Sequence, residues 1–295
     1  MVLGKFLDPK NDVAFKRVFG REKNKDILIH FLNDMIDFRG GSPITEISFL
    51  QTVQDPEIAA KKQSIVDVLC KDAKGDQYIV EMQVAKTDGF EKRAQYYAAK
   101  AYTSQLNSGE EYHLLKEIIF LAIVGFVMFP DKAAYKSDHE VLDRVTHDKD
   151  LKDFSFTFLE LPKFKKSLSE LSTSVEKWTY FFKYAQEVRD KDLDQLSGTD
   201  LFIRKAYEEL DRHYWTQEEL DSYERSVKEE RDAKAILRAS FKDGIAQGKA
   251  EGKIEGLIQV ATQLLARGIS PEEVASITTL DLATIRAIET KVLSP

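Results

Sequence analysis

The sequence predicts an α/β protein, a mixed sheet followed by an all-helical C-terminal region. Three observations carry that prediction. Apolar runs at 44–50, 64–72, 77–85, 118–129 and 154–161 have the length and composition of strands. Helical spacing of apolar residues precedes and interrupts them. After Pro162 the strand signals stop, and helical patterns run to the end of the chain. Helix, three strands, helix, strand, strand is the order of a mixed α/β sheet.

Residues 1–40 read as a helical entry, with Val13, Phe15, Val18 and Phe19, then Ile27, Leu28, Phe31, Leu32 and Met35 at helical spacing. Gly40, Gly41 and Pro43 end it. ITEISFL (44–50) alternates like a short strand. SIVDVLCKD (64–72) and QYIVEMQVA (77–85) are two strands joined by AKGD, a hairpin signal. FEKRAQYYAAKAYTSQL (90–106) is built of strong helix formers. The apolar run from Ile118 to Phe129 is twelve residues, too short to span a bilayer and suited to a buried strand. FSFTFLEL (154–161) is closed by Pro162.

The expected divisions are a core over 1–165, a helical extension over 166–215 anchored by Trp178, Tyr180, Phe181, Phe182 and Tyr184, and a region 216–295. The last holds one long charged helix from Thr216 to Arg267 and a small helical tail. Gly244, Gly248, Gly252 and Gly256 recur every four residues in that helix. Such glycines leave a groove that another backbone can approach, which predicts pairing between chains; a frayed linker is the alternative. Gly268 reads as a C-cap, and Ser270, Pro271 and Glu273 as the start of a further helix. The two short tail helices suggest either a helix-turn-helix or a packing module, and few basic residues lie there for phosphate contact.

At 295 residues the chain has room for a large domain and an appendage. Its only cysteine, Cys70, excludes an internal disulfide. The first residues lack a basic segment followed by an apolar one, so the cytoplasm is the expected compartment. A net charge of −7 does not advertise a nucleic-acid binder, so any such site must be a local patch. The five histidines show no metal-binding spacing, and no phosphate loop or nucleophile elbow is present.

The candidate chemistry lies in the hairpin. Alternation puts Glu81 and Gln83 on one face of their strand with Ile79. A carboxylate in an apolar strand is costly unless paired or metal-bound. Asp67 sits among Ile65, Val66, Val68 and Leu69 in the partner strand, and folding about AKGD brings it near Glu81. Two converging carboxylates suit a hard divalent cation such as Mg²⁺. A satisfied carboxylate pair, or the polar face of an edge strand, is the other reading.

DVAFKRVFG (12–20), SIVDVLCKDAKGDQYIVEMQ (64–83) and KRAQYYAAKAY (92–102) resemble the PD-(D/E)XK nuclease family transposases, also called the Rpn family of recombination-promoting nucleases. FTFLELPKF (156–164) and the glycine-punctuated helix are similar further on, so the resemblance extends over nearly the whole chain. It implies a restriction-endonuclease-like mixed-sheet core and a magnesium-dependent DNA endonuclease linked to recombination or transposition. By motif match, Asp67 and Glu81 take the metal-binding and catalytic acidic roles. Gln83 falls where the wider superfamily has lysine. It has no charge to stabilise an oxyanion, so either a cation comes from elsewhere or the rate is low, as in a catalytically weak DNA-binding or assembly protein that keeps the fold. Lys62 and Lys16 are the candidate cations, although Lys62 needs a bulge or bend to face Asp67. On this reading Gln83→Lys keeps or raises activity. Asp12 is a candidate third metal carboxylate, or simply the partner of Lys16 one turn on. Arg93, Tyr97, Lys100 and Ser104 share a helix face, and Arg93 and Lys100 are candidate DNA-phosphate contacts, or part of a solvated stripe. The expected partners are DNA and a second copy of the chain through the C-terminal helices, with no membrane.

Overall fold

The computed structural model describes residues 4–38, 42–51, 53–54, 64–198 and 200–293. In chain order the elements are α1 (Asp12–Phe19), α2 (Lys25–Met35), β1 (Ile47–Phe49), β2 (Val53–Gln54), β3 (Ser64–Ile65), β4 (Val68–Asp72) and β5 (Gln77–Gln83). Then follow α3 (Phe90–Thr103), β6 (Ile118–Val124), β7 (Lys136–Glu140), β8 (Phe154–Glu160), α4 (Ser174–Tyr184), α5 (Asp190–Ser197) and α6 (Leu201–Leu210). The helices α7 (Gln217–Ala266), α8 (Pro271–Thr278) and α9 (Leu282–Leu293) complete the chain.

Six strands form one sheet in the order β1-β4-β5-β6-β8-β7. β5, β6 and β8 are parallel neighbours, and the flanking pairs are antiparallel. The sheet is mixed, as the element order predicts. β6 is central and buried at all seven positions, which explains its unbroken apolar sequence. It stops at Val124, short of the expected Phe129; the next residue, Gly125, lies so near Val84 that a Cβ there would meet its carbonyl oxygen at 2.7 Å.

Two core layers lie on the faces of the sheet. One joins Val68, Tyr78, Val80 and Met82 to α1, α2, α4 and α6 through Phe15, Phe19, Phe31, Trp178, Phe181 and Tyr207. The other places Ile79, Phe120 and Phe158 against Phe90, Ala94, Ala98 and Ala101 of α3. The small α3 residues let that helix lie close to the sheet. The helices between 166 and 215 share the first layer with the strands, so one core crosses residue 165.

The chain divides into two compact units, Met1–Val227 and Lys228–Pro295. This boundary lies inside α7 and differs from the expected one at 215. In the second unit, residues 231–256 are exposed all round the helix. Beyond them Ala261, Leu265, Val274 and Ile285 form a small core between the end of α7, α8 and α9. Gly268 has φ +83° and caps α7, and the Ser270 hydroxyl accepts from the Glu273 N–H with Pro271 in the first turn of α8.

Candidate active site

The segment 64–72 is not one strand. β3 pairs with β2 in a separate two-stranded sheet, β4 pairs with β5, and Asp67 is the bend between them. Val66 and Val68, two positions apart, lie in different core layers. In a regular strand they would share a face. The bend therefore resets the alternation, so side-chain direction cannot be counted through position 67. Lys62, a candidate cation, lies outside the described residues.

Val68 pairs with Val80, so the register carries Asp67 to the level of Glu81. The backbone N–H of Met82 donates to Asp67 Oδ2 at 2.8 Å, fixing one carboxylate oxygen. The Asp67 and Glu81 carboxyls are close enough to act directly on each other. Glu81 is only 5% exposed, under α3, and its Oε1 is buried without a hydrogen-bond partner. Burial first, then the neighbouring Asp67 charge, pushes the Glu81 carboxyl well above the usual carboxylate range. Burial also raises Asp67, opposed by the Met82 N–H. Two acids held this way share a proton or take a cation. Hard oxygen donors with one buried oxygen unsatisfied fit a divalent ion such as Mg²⁺.

Asp12 and Lys16 act on the pair through charge, Asp12 raising Asp67 and Lys16 lowering both acids. Lys16 is ion-paired to Asp12 at 2.7 Å across one helical turn; Asp12 is exposed and Lys16 partly buried. Among the described residues, Asp12 does not join Asp67 and Glu81 in a convergent set of ligand atoms. The set that does converge, within 4.8 Å, is His30, Asp34 and Asp200. His30 Nε2 lies 3.2 Å from Asp34 and 3.1 Å from Asp200, and Asp34 also accepts from the Trp178 indole at 2.8 Å. Residues 30 and 200 are 170 positions apart, which hid this set from spacing rules.

Gln83 ends β5. Its Nε2 donates to the Ala85 carbonyl at 2.8 Å, and its Oε1 accepts from Arg93 Nη2. The Arg93 guanidinium lies over Phe90 at 4.8 Å and near Tyr97 at 5.9 Å from the ring centroids. After Asp67, Arg93 is the neighbouring charge that acts most on Glu81, ahead of Lys16. Lys100 is half-buried two turns further along α3. The sequence identified Arg93 by its helix face but missed its contact with Gln83. Residues 84–89 connect β5 to α3, with Gly89 at φ +72° just before the helix.

The model of the PD-(D/E)XK nuclease family transposases matches residues 9–240, which is more than half of the chain. The match ends before Gly244, so the glycine repeat and the tail lie beyond it, contrary to the wider extent expected from the sequence. No curated protein and no solved structure matches the chain. Among the described residues, no helix is long and apolar enough to cross a membrane.

Proposed function

The chain belongs to the PD-(D/E)XK nuclease family transposases, and we propose that it is a metal-dependent DNA endonuclease hydrolysing phosphodiester bonds in recombination or transposition. The observation that carries this reading is the buried Asp67–Glu81 pair, with Glu81 Oε1 left unsatisfied. Asp67 and Glu81 are the residues to hold Mg²⁺. A bound Mg²⁺ supplies a more acidic water and offsets charge on the phosphate. The Met82 N–H orients Asp67, and α3 keeps bulk water from Glu81. Asp12 and Lys16 adjust the local charge from α1. Arg93 and Lys100 on α3 offer contacts to the DNA backbone, a local basic patch on a chain of net charge −7. The reading places the chain in the cytoplasm with DNA, working as a dimer.

One observation favours a second reading, a catalytically weak DNA-binding or assembly protein. The uncharged Gln83 occupies the third motif position. Purified chain incubated with supercoiled plasmid separates the two readings. We expect nicking with Mg²⁺, none with EDTA, and none by Asp67→Ala or Glu81→Ala. Undiminished cleavage by both variants rejects the assignment. DNA binding by the wild type without any cutting favours the second reading.

A further inference from the structure

We propose that Arg93 is the catalytic cation, placing its charge on the scissile phosphate, and that Gln83 is the residue positioning it. The proposal rests on the nuclease reading. The Gln83 amide cannot be turned round. Its donor end is committed to the Ala85 carbonyl, which only an NH₂ satisfies, so its acceptor end faces Arg93. Phe90 and Tyr97 lie against the guanidinium and limit its swing. Arg93 Nε is buried without a partner, so the fork is docked but not saturated. An amide tether also leaves the charge intact, where a carboxylate at 83 would cancel it.

Lys16 is a poorer source of charge, being already ion-paired to Asp12. A planar guanidinium matches two phosphate oxygens at once, and that geometry must be held in place to be useful. A lysine at the end of β5 would carry charge to this place directly. Here a glutamine at that position holds an arginine arriving from the next helix.

The competing account is that the Gln83–Arg93 bond only fastens α3 to β5. Plasmid cleavage in Mg²⁺ by Gln83→Ala, Arg93→Ala and the double variant distinguishes them, together with thermal melting and duplex binding in EDTA. We expect each single change to slow turnover about 10²-fold, the scale of losing one positioned donor. The double variant should be no slower than Arg93→Ala, because Gln83 acts through Arg93. Arg93→Lys should recover part of the rate. Arg93→Ala should also bind duplex more weakly in EDTA without melting earlier.

Wild-type turnover in Arg93→Ala overturns the proposal, as do losses that multiply in the double variant. A lowered melting temperature with unchanged binding in EDTA assigns the contact to fastening alone. A wild type that never cuts, with or without Asp67, removes the nuclease reading and this inference with it. An active wild type beside an equally active Arg93→Ala removes only the inference.

Discussion

Glu81 is buried at a cost that the chain alone does not recover. One of its oxygens has no partner, and the adjacent Asp67 adds like-charge repulsion. Glu81→Gln should therefore melt no lower than the wild type in metal-free buffer while losing cleavage; a clear drop in melting temperature would make Glu81 a structural residue. The docking of Arg93 on Gln83 also reverses an expectation. Lysine at 83 beside an intact Arg93 removes the acceptor and crowds two cations, so Gln83→Lys should now slow cleavage. In the Arg93→Ala background the same lysine returns charge to the site and should raise turnover at least about tenfold, since one charged contact is worth ~1.4 kcal/mol or more. Equal rates for Arg93→Ala and Gln83→Lys/Arg93→Ala would show that charge at this place is immaterial. Asp67 and Glu81 were legible in the sequence because carboxylates in apolar strands are conspicuous. The Gln83–Arg93 contact was not, because it joins two elements across their connection and no periodicity encodes that.

Arg17 joins α1 to the segment that leads into α7. Its side chain is 5% exposed, donates to the Glu209 and Tyr214 carbonyls, pairs with Glu219 at 2.5 Å and lies 4.6 Å from the Trp215 ring. Arg17→Ala empties a buried site and takes donors from the Glu209 and Tyr214 carbonyls and one of the two cations from Glu219, and should cost about 3 kcal/mol in denaturant unfolding; a loss under about 1 kcal/mol would mean the network relaxes freely. Acid should weaken the same helical layer. Burial alone would raise Glu219 and Glu176, but hydrogen bonds and cations outweigh it. The Thr216 N–H, Arg21 and Arg17 hold Glu219 at about 2, and Lys166 and Ser172 hold Glu176 at about 2, against an ordinary 4.5. A depressed carboxyl stabilises the fold above its ordinary value, and that stability drains as pH falls from about 4.5 toward 2. Melting temperature should drop across this window, less steeply in Glu176→Gln and Glu219→Gln; parallel curves would exclude these two residues as the cause. Elements with strong periodicity were readable in the sequence. β7 was missed because KSDHE has no apolar alternation; its polar residues pair on the sheet edge, as with Asp138 accepting from Thr157 at 2.8 Å. The break at Asp67 was missed because a bend between two apolar stretches leaves no mark in composition.

At the scale of the whole chain, the long charged helix was readable to within a residue or two of its ends, since nothing in it breaks helicity except glycine. What the helix is for is not written in one chain. Residues 231–256 are exposed on every side, and isolated helices gain most of their stability by packing one face. Leu237, Phe241 and Ile245 stand 70%, 69% and 44% exposed at four-residue spacing. At about 100° per residue, Gly248 and Gly252 continue that same stripe, within an arc of about 80°. No atom lies within 4 Å of a Cβ built on either glycine, so the groove they leave is open in the single chain. A large apolar stripe running into a smooth glycine groove matches a second copy of itself. Two nuclease sites held together also suit a duplex with two strands to cut. We therefore expect a homodimer through α7. Leu237→Glu with Phe241→Glu should shift the protein toward monomer in sedimentation, because charge replaces the apolar contact. Gly248→Leu with Gly252→Leu should do the same by blocking close approach, even though leucine raises helix propensity. Both variants should keep the melting transition of the sheet-bearing unit, since these side chains lie outside its core. A wild-type chain that sediments as a monomer at tens of micromolar would leave the stripe for another partner and remove the dimer.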